Sequence, residues 1–173
     1  AGIVISASHN PFQDNGIKIF LPTGKKLDEA TERKIEADIF AENSGDNEID
    51  LSETDFDEEK AEHQETYLNH LLDEFSGLSL DNVKIVVDCA NGAASALAPR
   101  LFEKLGAIVV AISDQPDGKN INKDCGSLHL DKLQTKVREE NADFGVAFDG
   151  DADRSLFVDE KGEWFTPSPD IPS

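Results

Sequence analysis

Three aspartates, Asp149, Asp151 and Asp153, stand at alternate positions in the run Phe148-Asp149-Gly150-Asp151-Ala152-Asp153-Arg154, with only small residues between them. In extended or looped backbone, alternate side chains fall on one side, so this spacing makes the carboxylates converge. Like charges about 4 Å apart repel by roughly 4 kcal/mol per pair at an effective dielectric of about 20. A hard divalent cation with oxygen ligands relieves that repulsion, which makes the three aspartates candidate metal ligands. The plainer alternative is an acidic, solvated turn. An EF-hand calcium loop starting at Asp149 also fits, with Asp151, Asp153, Leu156 and Glu160 at its third, fifth, eighth and twelfth positions. Against it, Arg154 falls where that loop needs a glycine in left-handed backbone. The flanks 144–148 and 155–158 also read as short buried strands, where an EF-hand has helices.

A second polar set lies near the start of the chain: Ser8, His9, Asn10, Asp14 and Asn15 in one loop, with Lys18 just beyond. Such a loop between two apolar strands suits a site carried on a rigid scaffold, although Ser8 and Asn10 could equally cap backbone groups in a polar hairpin. A Ser-His hydrolase is disfavoured, because adjacent residues in extended backbone point apart and no G-x-S-x-G elbow surrounds Ser8.

The elements that must carry these residues follow from pattern. Alternating, β-branched 2–6 reads as a strand, Asn10-Pro11 as a loop and 16–21 as a second strand. Pro22-Thr23-Gly24 turns the chain into a helix over 28–43 with Ile35 and Ile39 on one face. From 42 to 65 acidic and small polar residues dominate, which predicts a solvated connection and a domain boundary near residue 57. Tyr67, Leu68, Leu71, Leu72 and Phe75 form the apolar stripe of the next helix, closed by Gly77. Residues 83–88 read as a strand buried on both faces. A helix over 94–105 follows, with Pro99 in its first turn and Gly106 at its end. After it come a strand over 108–112, a loop over 114–127, a helix over 130–141 showing Leu130, Leu133 and Val137, and a strand over 144–148. The expected class is α/β: a partial first α/β domain over 1–57, then a second over 58–165 with a mostly parallel sheet and flanking helices, and a proline-rich tail over 166–173. In such sheets sites lie beyond the carboxyl ends of the strands, where the aspartates fall. The turn after Asp88 lacks G-x-G-x-x-G, so no dinucleotide site is expected.

The 173 residues carry a formal net charge of -20. That field repels nucleic acid and anionic membranes, and no apolar run approaches the ~20 residues of a membrane span. No secretory signal is recognised either. Cys89 and Cys125 form no metal-binding pair, so reduced thiols in a cytoplasmic protein are the expectation. The chain has no methionine and opens directly on an apolar strand, which reads as a piece of something longer.

Ser6-Ala7-Ser8-His9-Asn10-Pro11 with Asp14-Asn15-Gly16-Ile17-Lys18, followed much later by the three-aspartate run, resembles the α-D-phosphohexomutases. Asp88-Cys89-Ala90-Asn91-Gly92-Ala93-Ala94, Asn120-Ile121-Asn122, Asp124-Cys125-Gly126-Ser127 and Ala142-Asp143 are similar to the bacterial phosphoglucosamine mutase branch, and the resemblance runs from residue 2 to about 162. It implies an isomerase that interconverts glucosamine 6-phosphate and glucosamine 1-phosphate through a phosphoserine and a 1,6-bisphosphate, a step toward UDP-N-acetylglucosamine. Phosphoglucomutase or phosphomannomutase is the alternative. The implied cofactor is Mg²⁺ and the implied substrate a hexosamine or hexose phosphate. By the same match Ser8 carries the phosphoryl group and is a metal ligand with Asp149, Asp151 and Asp153. Lys18 assists proton transfer or neutralises charge, with His9 as a second candidate. Arg154 holds phosphate, or else pairs with a nearby acid, and Ser6 and Asn10 belong to the phosphate-binding loop that they shape. Ala152 stands where the family usually has glycine, and Leu130 where the branch has proline. After Trp164 the resemblance ends, without the domain that selects the sugar.

Overall fold

A computed structural model describes residues 2–41 and 57–165. Strand β1 (Gly2–Ser6) pairs antiparallel with β2 (Gly16–Phe20), with Val4 opposite Lys18 and Ser6 opposite Gly16. Helix α1 (Glu29–Ala41) starts after Asp28, whose carboxylate accepts from the Thr31 amide at 3.0 Å and its hydroxyl at 2.9 Å, as an N-cap does. Ile35 and Ile39 share a face, as expected, and line an open apolar groove with Ile3, Ile17 and Ile19 of the hairpin.

Residues 42–56 of the expected acidic connection, and the proline-rich 166–173, lie outside the described residues. The rest of that connection is not a linker: α2 (Asp57–Glu74) is helical from its first acidic residues onward. Glu58, Glu59, Lys60, Ala61 and Glu62 are strong helix formers, and acids suit a helix N-terminus. Glu65 also reaches the Arg100 and Lys104 cations. The apolar stripe of α2 is narrower than its spacing predicts. Leu68 is fully buried and Leu71 and Leu72 are partly so, while Tyr67 and Phe75 are half exposed, because α2 packs chiefly against one helix, α3.

Strand β3 (Lys84–Asp88) leads through a turn and a 3₁₀ turn at Ala93–Ala96 to α3 (Ala98–Lys104), which starts four residues later than the spacing predicts, with Pro99 in its first turn. Gly106, at φ +99°, ends the helix, a backbone conformation that glycine adopts without strain. Strand β4 (Ile108–Ile112), a long loop, α4 (Asp131–Glu140) and β5 (Phe144–Phe148) follow, then β6 (Ser155–Asp159) and the short β7 (Trp164–Phe165). The sheet order is β4-β3-β5-β6-β7. Its core of three strands is parallel, and β6 and β7 extend it antiparallel.

Strand β3 is the middle of the three parallel strands and is buried on both faces, which is why Ile85, Val86 and Val87 are apolar in succession. Ile85 and Val87 pack with Ala98 and Phe102 on the α3 side. Val86 packs with Leu133 and Val137 of α4 on the other. The crossovers put the carboxyl ends of β3, β4 and β5 at one edge, and the loops that leave them build the site.

Candidate serine and metal site

The three-aspartate run is the loop that joins β5 to β6. It is closed by backbone bonds from Asp149 to the Arg154 carbonyl and from Ala152 to the Asp149 carbonyl. The flanking elements are strands, as the sequence indicates, so the run is not an EF-hand. Ala152 has φ +59°, the left-handed conformation in which a glycine would be relaxed.

Carboxylate oxygens of Asp149, Asp151 and Asp153 lie within 4.8 Å of one another. Asp149 is only 1% exposed. It accepts from the Arg154 amide at 3.2 Å and from Arg154 Nε at 3.1 Å. Asp153, at the surface, shares this corner with Asp149, and a hydrogen bond to Asp149 together with the negative charge of that neighbour pushes its carboxyl up. Burial alone would raise Asp151 too. The Lys18 ammonium, with the Ser6 and Ser8 hydroxyls, outweighs burial and holds it below its ordinary value.

The early hairpin meets this cluster across 133 to 145 positions of sequence. Ser8 Oγ lies 3.3 Å from Asp151 Oδ1, Ser6 Oγ 3.3 Å from Asp151 Oδ2 and Lys18 Nζ 2.8 Å from the same oxygen. Ser6 also accepts the Ser8 amide at 2.9 Å. Lys18, on the strand opposite Val4, has its ammonium held above its ordinary pKa by the Asp151 hydrogen bond and charge.

Ser8 is not extended. Its φ of +52° turns its side chain toward that of His9, so Ser8 Oγ and His9 Nδ1 stand 3.4 Å apart. The expectation that these neighbours point apart therefore fails, because the alternation rule holds only in extended backbone. Asn10 enters through its main chain, with its amide on the Ala7 carbonyl. Arg154 is half exposed and paired with Asp149 and, at 3.6 Å, Asp153, the salt bridge that was the alternative to phosphate binding. Its exposed face borders an open hollow with Ser127 and Leu128.

The donor set suits a hard divalent metal: oxygen ligands, anionic, from a short loop, with a hydroxyl beside them. Lys18 and Arg154 offset two of the three carboxylates, leaving one negative charge for a cation to meet.

Two features escaped the reading of local pattern. Asp88, fully buried at the end of β3, accepts from the Ala90 and Gly126 amides at 3.0 and 2.9 Å, and burial pushes its carboxyl up. It locks the turns that follow β3 and precede α4. Its signal in the sequence is an acid directly after the apolar run Ile85-Val86-Val87. Close approach is the second: a Cβ on Gly92 would strike the Gly150 backbone, and one on Gly150 the Ser8 carbonyl.

The family description "Phosphoglucomutase/phosphomannomutase, alpha/beta/alpha domain II" matches residues 65–162, and its domain I counterpart matches residues 1–46. A phosphoglucosamine mutase of Caldicellulosiruptor saccharolyticus is 52% identical over 166 residues, covering 94% of this chain and 36% of that protein. One from Deinococcus deserti is 52% identical over 169 residues with the same coverage. A crystal structure of a phosphoglucomutase/phosphomannomutase family protein from Burkholderia thailandensis superposes with a TM-score of 0.68 at 29% identity, over 95% of this chain and 34% of that one. The chain thus spans about a third of the length of the proteins it matches.

Proposed function

Because the chain belongs to the phosphoglucomutase/phosphomannomutase family, we propose that it carries the phosphoryl-transfer centre of a phosphoglucosamine mutase, with Ser8 as carrier. The observation that supports this most is the approach of the Ser8 hydroxyl to 3.3 Å from a carboxylate of the acidic cluster. A serine hydroxyl can donate a hydrogen bond to that carboxylate, but a phosphoserine adds about -1.5 to -2 charges and needs a cation between itself and the aspartates. Mg²⁺ held by Asp149, Asp151, Asp153 and Ser8 would supply that charge and polarise the phosphoryl oxygens.

This chain's own residues do the rest. Ser6 orients the Ser8 amide and hydroxyl, and Lys18 stays protonated to offset charge as the phosphoryl group departs. His9 Nδ1 is close enough to take the Ser8 proton when the sugar bisphosphate returns its phosphoryl group. Each transfer breaks one P–O bond and makes another. Phosphoserine passes its phosphoryl group to a hydroxyl of glucosamine 6-phosphate or glucosamine 1-phosphate, whose proton ends on the freed Ser8 oxygen, and the 1,6-bisphosphate gives the other phosphoryl group back as the Ser8 proton ends on the freed sugar oxygen. Arg154, at the rim, would exchange its pairing with Asp153 for a phosphate oxygen. The glucosamine preference rests on the names of the relatives, with glucose or mannose phosphates as the alternative. The division into two domains near residue 57 is part of the same proposal. So is a cytoplasmic setting with both thiols reduced. Among the described residues no helix is long and apolar enough to cross a membrane, and both cysteines are free and buried.

The test is intact mass after incubating the protein, completed to the length of its relatives, with glucose 1,6-bisphosphate and Mg²⁺. A gain of one phosphoryl group that Ser8→Ala abolishes is expected. An unchanged gain in Ser8→Ala would remove the carrier role. Turnover compared among glucosamine, glucose and mannose monophosphates decides the sugar.

A further inference from the structure

Among the described residues, every hydrogen bond between the β1–β2 hairpin with its loop and the five-stranded sheet unit ends on one of two side chains. Asp151 takes three of them, from Ser6, Ser8 and Lys18. Asn122 makes the other two: its Nδ2 donates to the Ser8 carbonyl at 2.7 Å and to the Asn10 carbonyl at 2.8 Å. The two sets differ in kind. Those at Asp151 involve the reacting hydroxyl and a carboxylate that would turn to a cation, so they must rearrange whenever the site is loaded. Those of Asn122 reach backbone oxygens on the far side of the loop, which no step of the chemistry touches.

Asn122 is itself held. Its amide donates to the Ala90 carbonyl at 2.9 Å, in the turn leaving β3, and its φ is +57°, a conformation asparagine tolerates better than most residues. Gly150 of the aspartate loop is packed against the same Ser8 carbonyl, the Asn122 amide and Ile121, with no room for a Cβ. One carboxamide therefore grips the serine loop from below and stands against the aspartate loop beside it.

We propose that Asn122 is the positioning residue of the serine loop. Its two hydrogen bonds keep Ser8 Oγ docked over the acidic cluster while the bonds of Asp151 exchange partners. This rests on the reading of Ser8 given above only for its consequence, not for the tie itself.

Two variants of the 173-residue chain test it. Asn122→Gly removes the carboxamide and accepts positive φ. Asn122→Asp keeps the shape and turns acceptors toward two carbonyls. In both, amide hydrogen exchange across residues 6–10 is expected to rise about tenfold or more, with β3 and α4 unchanged. Mg²⁺ titration supplies the second readout. Asn122→Gly is expected to weaken binding about fivefold when Ser8 is present and by less than about twofold in a Ser8→Ala background, the coupling expected of two residues that act through one group. Unchanged exchange over 6–10 overturns the tie, and faster exchange throughout β3 and α4 reduces Asn122 to a general structural role and also overturns it. If Ser8→Ala alone leaves Mg²⁺ binding unchanged, the ligand role of Ser8 falls, and the exchange measurement still decides on Asn122.

Discussion

Asp151 is the residue on which most of the site converges, since two hydroxyls and an ammonium from the early hairpin end on its carboxylate. Ligand charge sets the affinity of an oxygen-ligand metal site, so Asp151→Asn should weaken Mg²⁺ binding by about tenfold or more, measured by calorimetric titration. The same change should lower the Lys18 ammonium pKa toward its ordinary value, read by side-chain NMR, because the Asp151 carboxylate is what raises it. Ala152 gives a prediction of opposite sign. A residue with a Cβ in left-handed backbone costs roughly 1–2 kcal/mol, and glycine gives part of that back through its freer unfolded chain. Ala152→Gly should therefore stabilise the protein by about 1 kcal/mol or a little less in urea unfolding.

At the scale of elements, the turns beyond the parallel strands are held by buried polar bonds. Asp88→Ala leaves the Ala90 and Gly126 amides without their acceptor. At about 1–3 kcal/mol for each of the two unsatisfied buried groups, a loss of roughly 2–6 kcal/mol is expected in chemical denaturation. At the other end of the sheet unit, Glu140 at the end of α4 pairs with Lys136 and with Lys84 of β3. Hydrogen bonds from Lys136 and Lys84 bring its carboxyl from an ordinary 4.5 down to about 2. A depressed acid stabilises the fold above its unfolded pKa, and the contribution fades as pH falls through the folded one. Parent and Glu140→Gln should therefore differ in urea midpoint at neutral pH, with the gap closing between pH 4.5 and about 2. A gap that stays constant through that range would show the ion pairs to be inert.

For the whole molecule, the hairpin and the sheet unit meet through the site itself, so loading the site should stabilise the chain. A ligand that binds only the folded state adds about 2.7 kcal/mol at a hundred times its dissociation constant. Saturating Mg²⁺ should thus raise the unfolding midpoint of the parent and leave Asp151→Asn nearly unmoved, as thermal denaturation would record. Catalysis is a different matter. Binding energy from parts of a substrate remote from the reacting centre normally positions it, and this chain spans 36% of the length of its curated relatives. The 173-residue chain should turn over glucosamine phosphates negligibly in a coupled assay, and rapid turnover would mean that the centre needs no help.

Much of this architecture was legible in local pattern, because its causes are local. The Ile85-Val86-Val87 run of β3, the proline and glycine that bracket α3, Leu130 with Leu133 and Val137 at α4, and the alternate aspartates each state their environment within a few residues. So does the order of strands and helices, from which a sheet with its site at the carboxyl ends of the strands follows. Only tertiary structure decided the rest. Ser8 and His9 share a side because a left-handed residue breaks the alternation that sequence spacing assumes, and Glu65 of α2 pairs with Arg100 and Lys104 of a distant helix. Arg154 meets Asp149 through the curvature of a loop, and Asn122 reaches two carbonyls more than a hundred residues away. Residue types and spacing carry what a segment will bury and what chemistry it can offer. Which groups share a hydrogen bond depends on distances of a few tenths of an ångström between segments that sequence leaves far apart, and those distances are set by packing.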